Sequence, residues 1–315
     1  MARDRFPRTV FFGTPEFAAA SLRALLDAGV PVPLVVTQPD RPVGRHSEPR
    51  PSAVAELAQE KGIPTEKPDS VKSNPAFLAR LEAAAPDAIA VVAYGKILPP
   101  SILELPRLGC VNVHASLLPR WRGASPIQAA ILAGDAETGV ATMRMEEGLD
   151  TGPILLERRV AIGERETAGE LTARLQRLGG ELLVETLENL AAGRQIARPQ
   201  AGEPTLCRTI RREDALVDWE RPADEIARRL RAFTPWPGLY TFLEDERVKL
   251  LEADAAPSAS GPPGSFAVEH GELVAAAGGE TGLRIGRLQR AGRKPVTGAE
   301  FARAARLPGR FGRSR

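Results

Sequence analysis

Cysteine, long apolar runs and net charge are all scarce in this chain, and each scarcity removes a class of protein. Only two cysteines occur in 315 residues, Cys110 and Cys207, far apart and without Cys-x-x-Cys spacing. That leaves no disulfide framework and no zinc signature, so no metal is expected and a reducing, cytoplasmic setting is. No uninterrupted apolar run approaches the ~20 residues of a membrane span. The charged residues 1–8 lead into an apolar stretch too short for a signal peptide, so none is expected. A formal net charge of +2 does not by itself announce a nucleic-acid partner, which shifts attention to how the charge is distributed. There is no internal repeat, and no heptad or long exposed edge strand, so a monomer is expected.

What is present is alternation. Residues 9–12 form a β-branched and aromatic run stopped by Gly13-Thr14-Pro15, and Phe17, Leu22, Leu25 and Leu26 then recur at helical spacing up to Gly29. Strands are predicted over 32–37, 88–93 and 110–114, with helices over 52–61, 75–85 and 126–133. Such alternation means parallel strands joined by helices, a doubly wound, Rossmann-like α/β sheet. A strand pair is predicted over 139–145 and 154–162 around Gly148-Leu149-Asp150-Thr151-Gly152, and a long helix over 167–190.

Composition changes near Gly193. Residues 194–207 carry Pro199, Gly202 and Pro204 with little periodicity and read as a linker. After a helix over 223–232 come five short strand-like runs, at 239–243, 248–251, 266–268, 273–276 and 283–288, which suit a small OB-like β-barrel or a sandwich. Residues 254–264, rich in Pro, Ser, Gly and Ala, read as a flexible loop. The expected domains are therefore 1–193, a linker 194–207, and 208–315.

The first strand-to-helix turn lacks G-x-G-x-x-G, and Glu16 in the first helical turn would repel a pyrophosphate, so a nicotinamide cofactor is not expected. The chemistry lies instead in residues 109–123. Side chains alternate faces along a strand, so Asn112 and His114 share one face at its carboxyl end, where ligands bind in such sheets. An amide can donate to an oxygen gaining negative charge, and an imidazole can exchange protons near neutral pH. Asp150, on its glycine-flanked turn, could accept from the second imidazole nitrogen and fix the tautomer. The same residues also admit a purely structural reading, a satisfied histidine at a strand end and a turn aspartate.

The run Asn112-Val-His114-Ala-Ser116-Leu-Leu-Pro119, with Gly148-Leu-Asp150-Thr-Gly152, resembles the folate-dependent formyltransferase family. So do Phe12-Gly-Thr-Pro-Glu-Phe17, Val92-Ala-Tyr-Gly95, Val217-Asp-Trp219 and Arg231-Ala-Phe-Thr-Pro-Trp-Pro237, and the resemblance covers essentially the whole chain. It implies formyl transfer from 10-formyltetrahydrofolate to an amine, with Asn112, His114 and Asp150 at the catalytic positions. It also implies that Ser116, Leu117, Leu118 and Pro119 hold the folate.

Relatives in that family formylate glycinamide ribonucleotide, an amino-sugar nucleotide or methionine on initiator tRNA, or hydrolyse the formyl-folate. The C-terminal extension argues against the first. The insertion over 38–52 favours the tRNA substrate: it carries Asp40-Arg41-Pro42 and Gly44-Arg45, and Arg41 and Arg45 match tRNA-contacting positions. The family's usual Gly-Lys-Lys after that arginine is His46-Ser47-Glu48 here, and a later lysine is Ala55, with Arg50 a partial substitute. That loop should pull less strongly on phosphates. From Thr281 onward, Arg284, Arg287, Arg290, Arg293, Lys294, Arg303, Arg306, Arg310, Arg313 and Arg315 face one acid, Glu300. On a small β domain this is the electrostatic footprint of RNA binding, although charge runs are also ordinary solvated faces. Arg120 and Arg122 either steer the acceptor stem or frame the pocket.

Overall fold

The computed structural model describes residues 5–42, 48–304 and 309–312. By its contacts the chain divides into two units, Met1–Pro126 with Glu137–Ala161 and Thr172–Cys207, and Ile127–Ala136 with Ile162–Leu171 and Arg208–Arg315. Among the described residues no helix is long and apolar enough to cross a membrane.

The first unit is built on a seven-stranded sheet. In chain order its strands are β1 (Thr9–Gly13), β2 (Val35–Val36), β3 (Thr65–Glu66), β4 (Ala88–Val92), β5 (Cys110–His114), β6 (Glu137–Arg144) and β7 (Ile154–Ala161). Across the sheet they run β7-β6-β5-β4-β1-β2-β3. From β5 to β3 all neighbours are parallel, while β6 and β7 join antiparallel. Every residue of β4 (Ala-Ile-Ala-Val-Val) is buried, as expected for a parallel strand covered on both faces. The strand predicted over 32–37 shrinks to two residues because Pro33, without an N–H, cannot extend the ladder.

Helix α1 (Glu16–Asp27) follows the first turn, and the next two helices start at side-chain caps. Ser52 accepts the Ala55 N–H at 3.1 Å at the head of α2 (Ala53–Glu60). Asn74 accepts the Phe77 N–H at 3.1 Å before α3 (Pro75–Ala83), whose first residue is a proline. Helices α4 (Pro126–Ala133) and α5 (Ala168–Ala191) come later in the chain. A reciprocal Thr167–Glu170 box heads α5. Between β1, β4 and α3 lies a core of Val10, Phe12, Phe77, Ile89 and Tyr94, with Phe12 edge-on to Tyr94 at 5.1 Å. Residues 194–207, read from composition as a linker, belong by contacts to this unit: Arg198 bridges Ile154, and Leu206–Cys207 forms a parallel ladder with Arg122–Gly123.

In the second unit a curled antiparallel half-barrel is formed by β8 (Tyr240–Leu243), β9 (Glu246–Ala256), β10 (Ser265–Glu269), β11 (Glu272–Ala277) and β12 (Thr281–Arg290). The order is β8-β9-β12-β11-β10 and then Gly309–Arg310. A bridge between Leu243 and Phe311, with the Gly312 N–H donating to the Phe242 carbonyl, draws the two ends of the sheet together. Inside, Phe311 packs on Phe266 at 4.3 Å and stacks on Trp219 at 5.5 Å. Helices α6 (Ala223–Ala232) and α7 (Gly298–Ala304) pack on the sheet. Strand β9 runs to Ala256, so the first residues of the expected flexible loop belong to a strand.

The basic run looks different once folded. Arg284 pairs with Glu272 at 3.3 Å, Arg287 with Glu252 at 3.0 Å, and Arg290 with Glu246. The acids come from the neighbouring strands β11 and β9, so the run read alone overstates the positive charge of this face. Arg293 and Lys294, in the turn after β12, are exposed and have no ion pair among the described residues. Arg306, Arg313 and Arg315 lie outside the described residues.

Candidate active site

Strand β5 carries Asn112 and His114 to the carboxyl edge of the first unit's sheet. Asn112 pairs across to Val91 of β4 and Met143 of β6 and is half-buried, whereas His114 is 6 % exposed. The Asn112 amide has no hydrogen-bond partner among the described residues, leaving two donors and an acceptor for a ligand.

His114 is committed on one side only. Its Nε2 lies 2.8 Å from the Trp121 carbonyl oxygen. A carbonyl only accepts, so Nε2 carries a hydrogen and Nδ1 is the nitrogen left for chemistry. The second nitrogen faces the carboxylate of Asp150, with Nδ1 and Oδ2 3.6 Å apart. That is longer than a hydrogen bond. The tautomer is therefore set by Trp121 rather than by Asp150, which corrects the expectation drawn from the sequence. Asp150 Oδ2 instead accepts the Gly123 N–H at 2.8 Å. Asp150 itself sits at φ +52°, a conformation that a non-glycine residue keeps only where its surroundings hold it. Gly123 has φ +116° and lies so close to the Leu206–Cys207 ladder that a Cβ would meet the Cys207 carbonyl oxygen at 2.2 Å. Only glycine lets that backbone reach Asp150.

Residues 116–119 are placed beside this centre, with two of their side chains turned inward. Ser116 is fully buried and donates to the Arg120 carbonyl at 2.5 Å. Leu118 is buried against Ala141, Met143 and Ile154. Leu117 and Pro119 are half-buried. Arg122 frames the site, its guanidinium donating to Gln200 Oε1 at 2.7 and 3.1 Å. Arg120 lies over the Trp121 ring at 4.5 Å.

Cys207, the second thiol, donates weakly to the Trp121 and Arg122 carbonyls at 3.4 and 3.3 Å. Burial pushes its titration up, and the Asp150 charge adds to that against the Ser125 N–H. Buried Cys110 is pushed up to about 12 by desolvation, which leaves it inert. Outside the centre, Arg41 and Arg50 stand directly opposite each other in a short antiparallel ladder, both exposed. Gly44 and Arg45 lie outside the described residues.

Reading residue types along the chain misses three contributors to this geometry. The Trp121 carbonyl and the Gly123 N–H are backbone groups without a residue signature, although Gly123 hints at close approach. Gln200 lies in a stretch whose only sequence signal is its lack of periodicity.

Comparison with known proteins places this geometry. Residues 7–187 match the formyl transferase family model, and residues 209–306 match the model of the formyl transferase C-terminal domain. The chain is 46 % identical over 297 residues to a methionyl-tRNA formyltransferase of Aromatoleum aromaticum, covering 94 % of this chain and 93 % of that one. It is 49 % identical over 302 residues to a methionyl-tRNA formyltransferase of Xanthomonas campestris, with 95 % and 98 % covered. Among solved structures, the fold resembles an N-formyltransferase of Helicobacter canadensis crystallised with folinic acid and dTDP-3-aminofucose. That likeness has a TM-score of 0.64 at 16 % identity, over 88 % of this chain and 98 % of that one.

Proposed function

The chain belongs to the formyl transferase family, and from that premise we propose that it moves the formyl group of 10-formyltetrahydrofolate to the α-amino group of methionine on initiator tRNA. One observation carries the choice of amine: identity near one half with methionyl-tRNA formyltransferases runs through both units, at more than nine-tenths coverage of each chain. As a step of translation initiation, the reaction belongs in the cytoplasm.

The residues of the site fit this chemistry. Attack of the uncharged amine on the formyl carbon forms one C–N bond and places negative charge on the formyl oxygen. The free Asn112 amide donates to that oxygen. His114 Nδ1 takes the proton the amine loses, and the Asp150 carboxylate 3.6 Å away stabilises the imidazolium so formed. As the bond to the folate nitrogen breaks, His114 returns the proton to that nitrogen, so the site ends as it began. The inward Ser116 and Leu118 leave the backbone of residues 116–119 to meet the folate, which refines the reading of that stretch as a set of side-chain contacts.

The tRNA side is supported by charge. Arg41 and Arg50, exposed and paired on one short ladder, offer two neighbouring cations to a phosphate. Arg45, within the same sequence insertion, and Arg293 and Lys294 on the second unit supply further cations for the backbone. The test is direct: pure protein is incubated with formyl-folate and methionyl initiator tRNA, and the deacylated product is examined. Formylmethionine is expected; unmodified methionine alone would contradict the proposal.

A further inference from the structure

Residues 188–208 lie between the two family-model matches, yet this stretch supplies the contacts that aim the catalytic pair. Gln200 uses its whole amide there. Its Nε2 donates to the Asp150 carbonyl and to the Gly152 carbonyl, each at 2.8 Å. Its Oε1 accepts from Arg122 Nε and Nη2 at 3.1 and 2.7 Å. A primary amide has two N–H donors and one oxygen with two lone pairs, so all four capacities are filled.

These partners are the two pieces of backbone on which the His114–Asp150 geometry depends. Asp150 and Gly152 form the turn that presents the carboxylate. Arg122 sits between Trp121, whose carbonyl accepts from His114, and Gly123, whose N–H holds Asp150 Oδ2. The same strand is fastened further along: the Trp121 N–H donates to Thr205 Oγ1 at 2.8 Å, the Arg122 N–H to the Thr205 carbonyl at 2.9 Å, and the Ala124 N–H to the Cys207 carbonyl at 3.2 Å. Thr205 and Cys207 thus fix the strand alone. Gln200 ties the strand to the turn through the two ends of one amide. Trp121 and Asp150 both hold positive φ, at +59° and +52°, so neither segment keeps its shape without such support.

We infer that Gln200 is a positioning residue for formyl transfer: it locks the Asp150 turn to the Trp121–Gly123 strand, so that the carboxylate faces His114 Nδ1. The inference rests on the reading of His114 and Asp150 as the working pair. A polar side chain that merely tacked down the chain would affect stability without selecting one kinetic step.

Gln200→Ala and Gln200→Glu in the full-length protein separate these cases. Gln200→Glu keeps an acceptor for Arg122 but turns an oxygen toward two carbonyls, so both variants lose the lock on the turn. In each, kcat should fall about tenfold or more, while KM for formyl-folate and for charged tRNA stays within about twofold. Hydrogen exchange of the Gly123 amide should speed up by about tenfold or more, because its acceptor is no longer held in place. In an Asp150→Ala background, Gln200→Ala should cost less than about twofold further, since it acts through Asp150. Wild-type kcat with unchanged Gly123 exchange would overturn the inference, and so would an undiminished loss in the Asp150→Ala background. Should the wild-type protein transfer no formyl group to methionyl-tRNA, the functional reading fails by itself, and Gly123 exchange still decides whether Gln200 positions the turn.

Discussion

At the scale of single residues, the arrangement turns on which nitrogen of His114 is free. The Trp121 carbonyl takes the Nε2 hydrogen, so Nδ1 is left between the Asp150 carboxylate and the open face where the Asn112 amide has no partner. If Asn112 donates to the formyl oxygen, its removal should cost what an oxyanion donor costs, about 3 kcal/mol or a hundredfold in kcat. Asn112→Ala and Asp150→Ala are each expected to lose at least about that much turnover while keeping wild-type circular dichroism. Near-normal turnover in either variant would remove it from the mechanism. The strand end that carries Asn112 and His114 and the turn that carries Asp150 were legible in the sequence through a two-residue period and flanking glycines, while their assignment to catalysis came from the family resemblance. How they are held was not. The acceptor for His114 and the donor to Asp150 are main-chain groups, and Gln200 comes from 50 residues beyond the turn it holds.

At the scale of elements, sequence patterns located most helices and strands and failed where a local feature overrode them. Proline shortened β2. Helix α7 lies outside the elements expected from periodicity, although Thr297 and Glu300 form a capping box ahead of it within a run of charge. The same run concealed its neutralisation, because Glu272, Glu252 and Glu246 reach β12 only through strand pairing. The short helical turn Arg212–Ala215 carries a pH-dependent lock on the entry to the second unit. The Arg208 guanidinium grips Asp214 through two bonds at 2.7 and 2.5 Å and, with the Arg211 N–H, holds its carboxyl at about 2, against the opposing effect of burial. A depressed carboxyl contributes stability that is complete above its ordinary value of 3.8 and lost as pH falls through about 2. Thermal unfolding between about pH 5 and 2, the window of that titration, should show Asp214→Asn losing less stability than the wild type. Parallel curves would dismiss the lock.

For the whole molecule, the question is how a chain of net charge +2 holds a polyanion. On the proposed reading the cations that meet it are local: Arg41 opposite Arg50 on one unit, and Arg293 and Lys294 on the other. Binding through phosphates implies that affinity for initiator tRNA falls steeply with salt while affinity for the folate does not. Arg45→Ala should raise KM for tRNA more than KM for formyl-folate; equal effects on both would move the tRNA contact elsewhere. The change in composition near Gly193 suggests a chain in two parts, whereas the contacts place Thr172–Cys207 in the first unit and join residues 127–136 and 162–171 to the second, which depends on contacts distant in sequence. The choice of amine is decided by comparing kcat/KM for methionyl initiator tRNA and for an amino-sugar nucleotide with the same formyl-folate donor. A preference for the tRNA by several orders of magnitude is expected; equal or greater efficiency with the amino sugar would rule out methionyl-tRNA as the preferred amine.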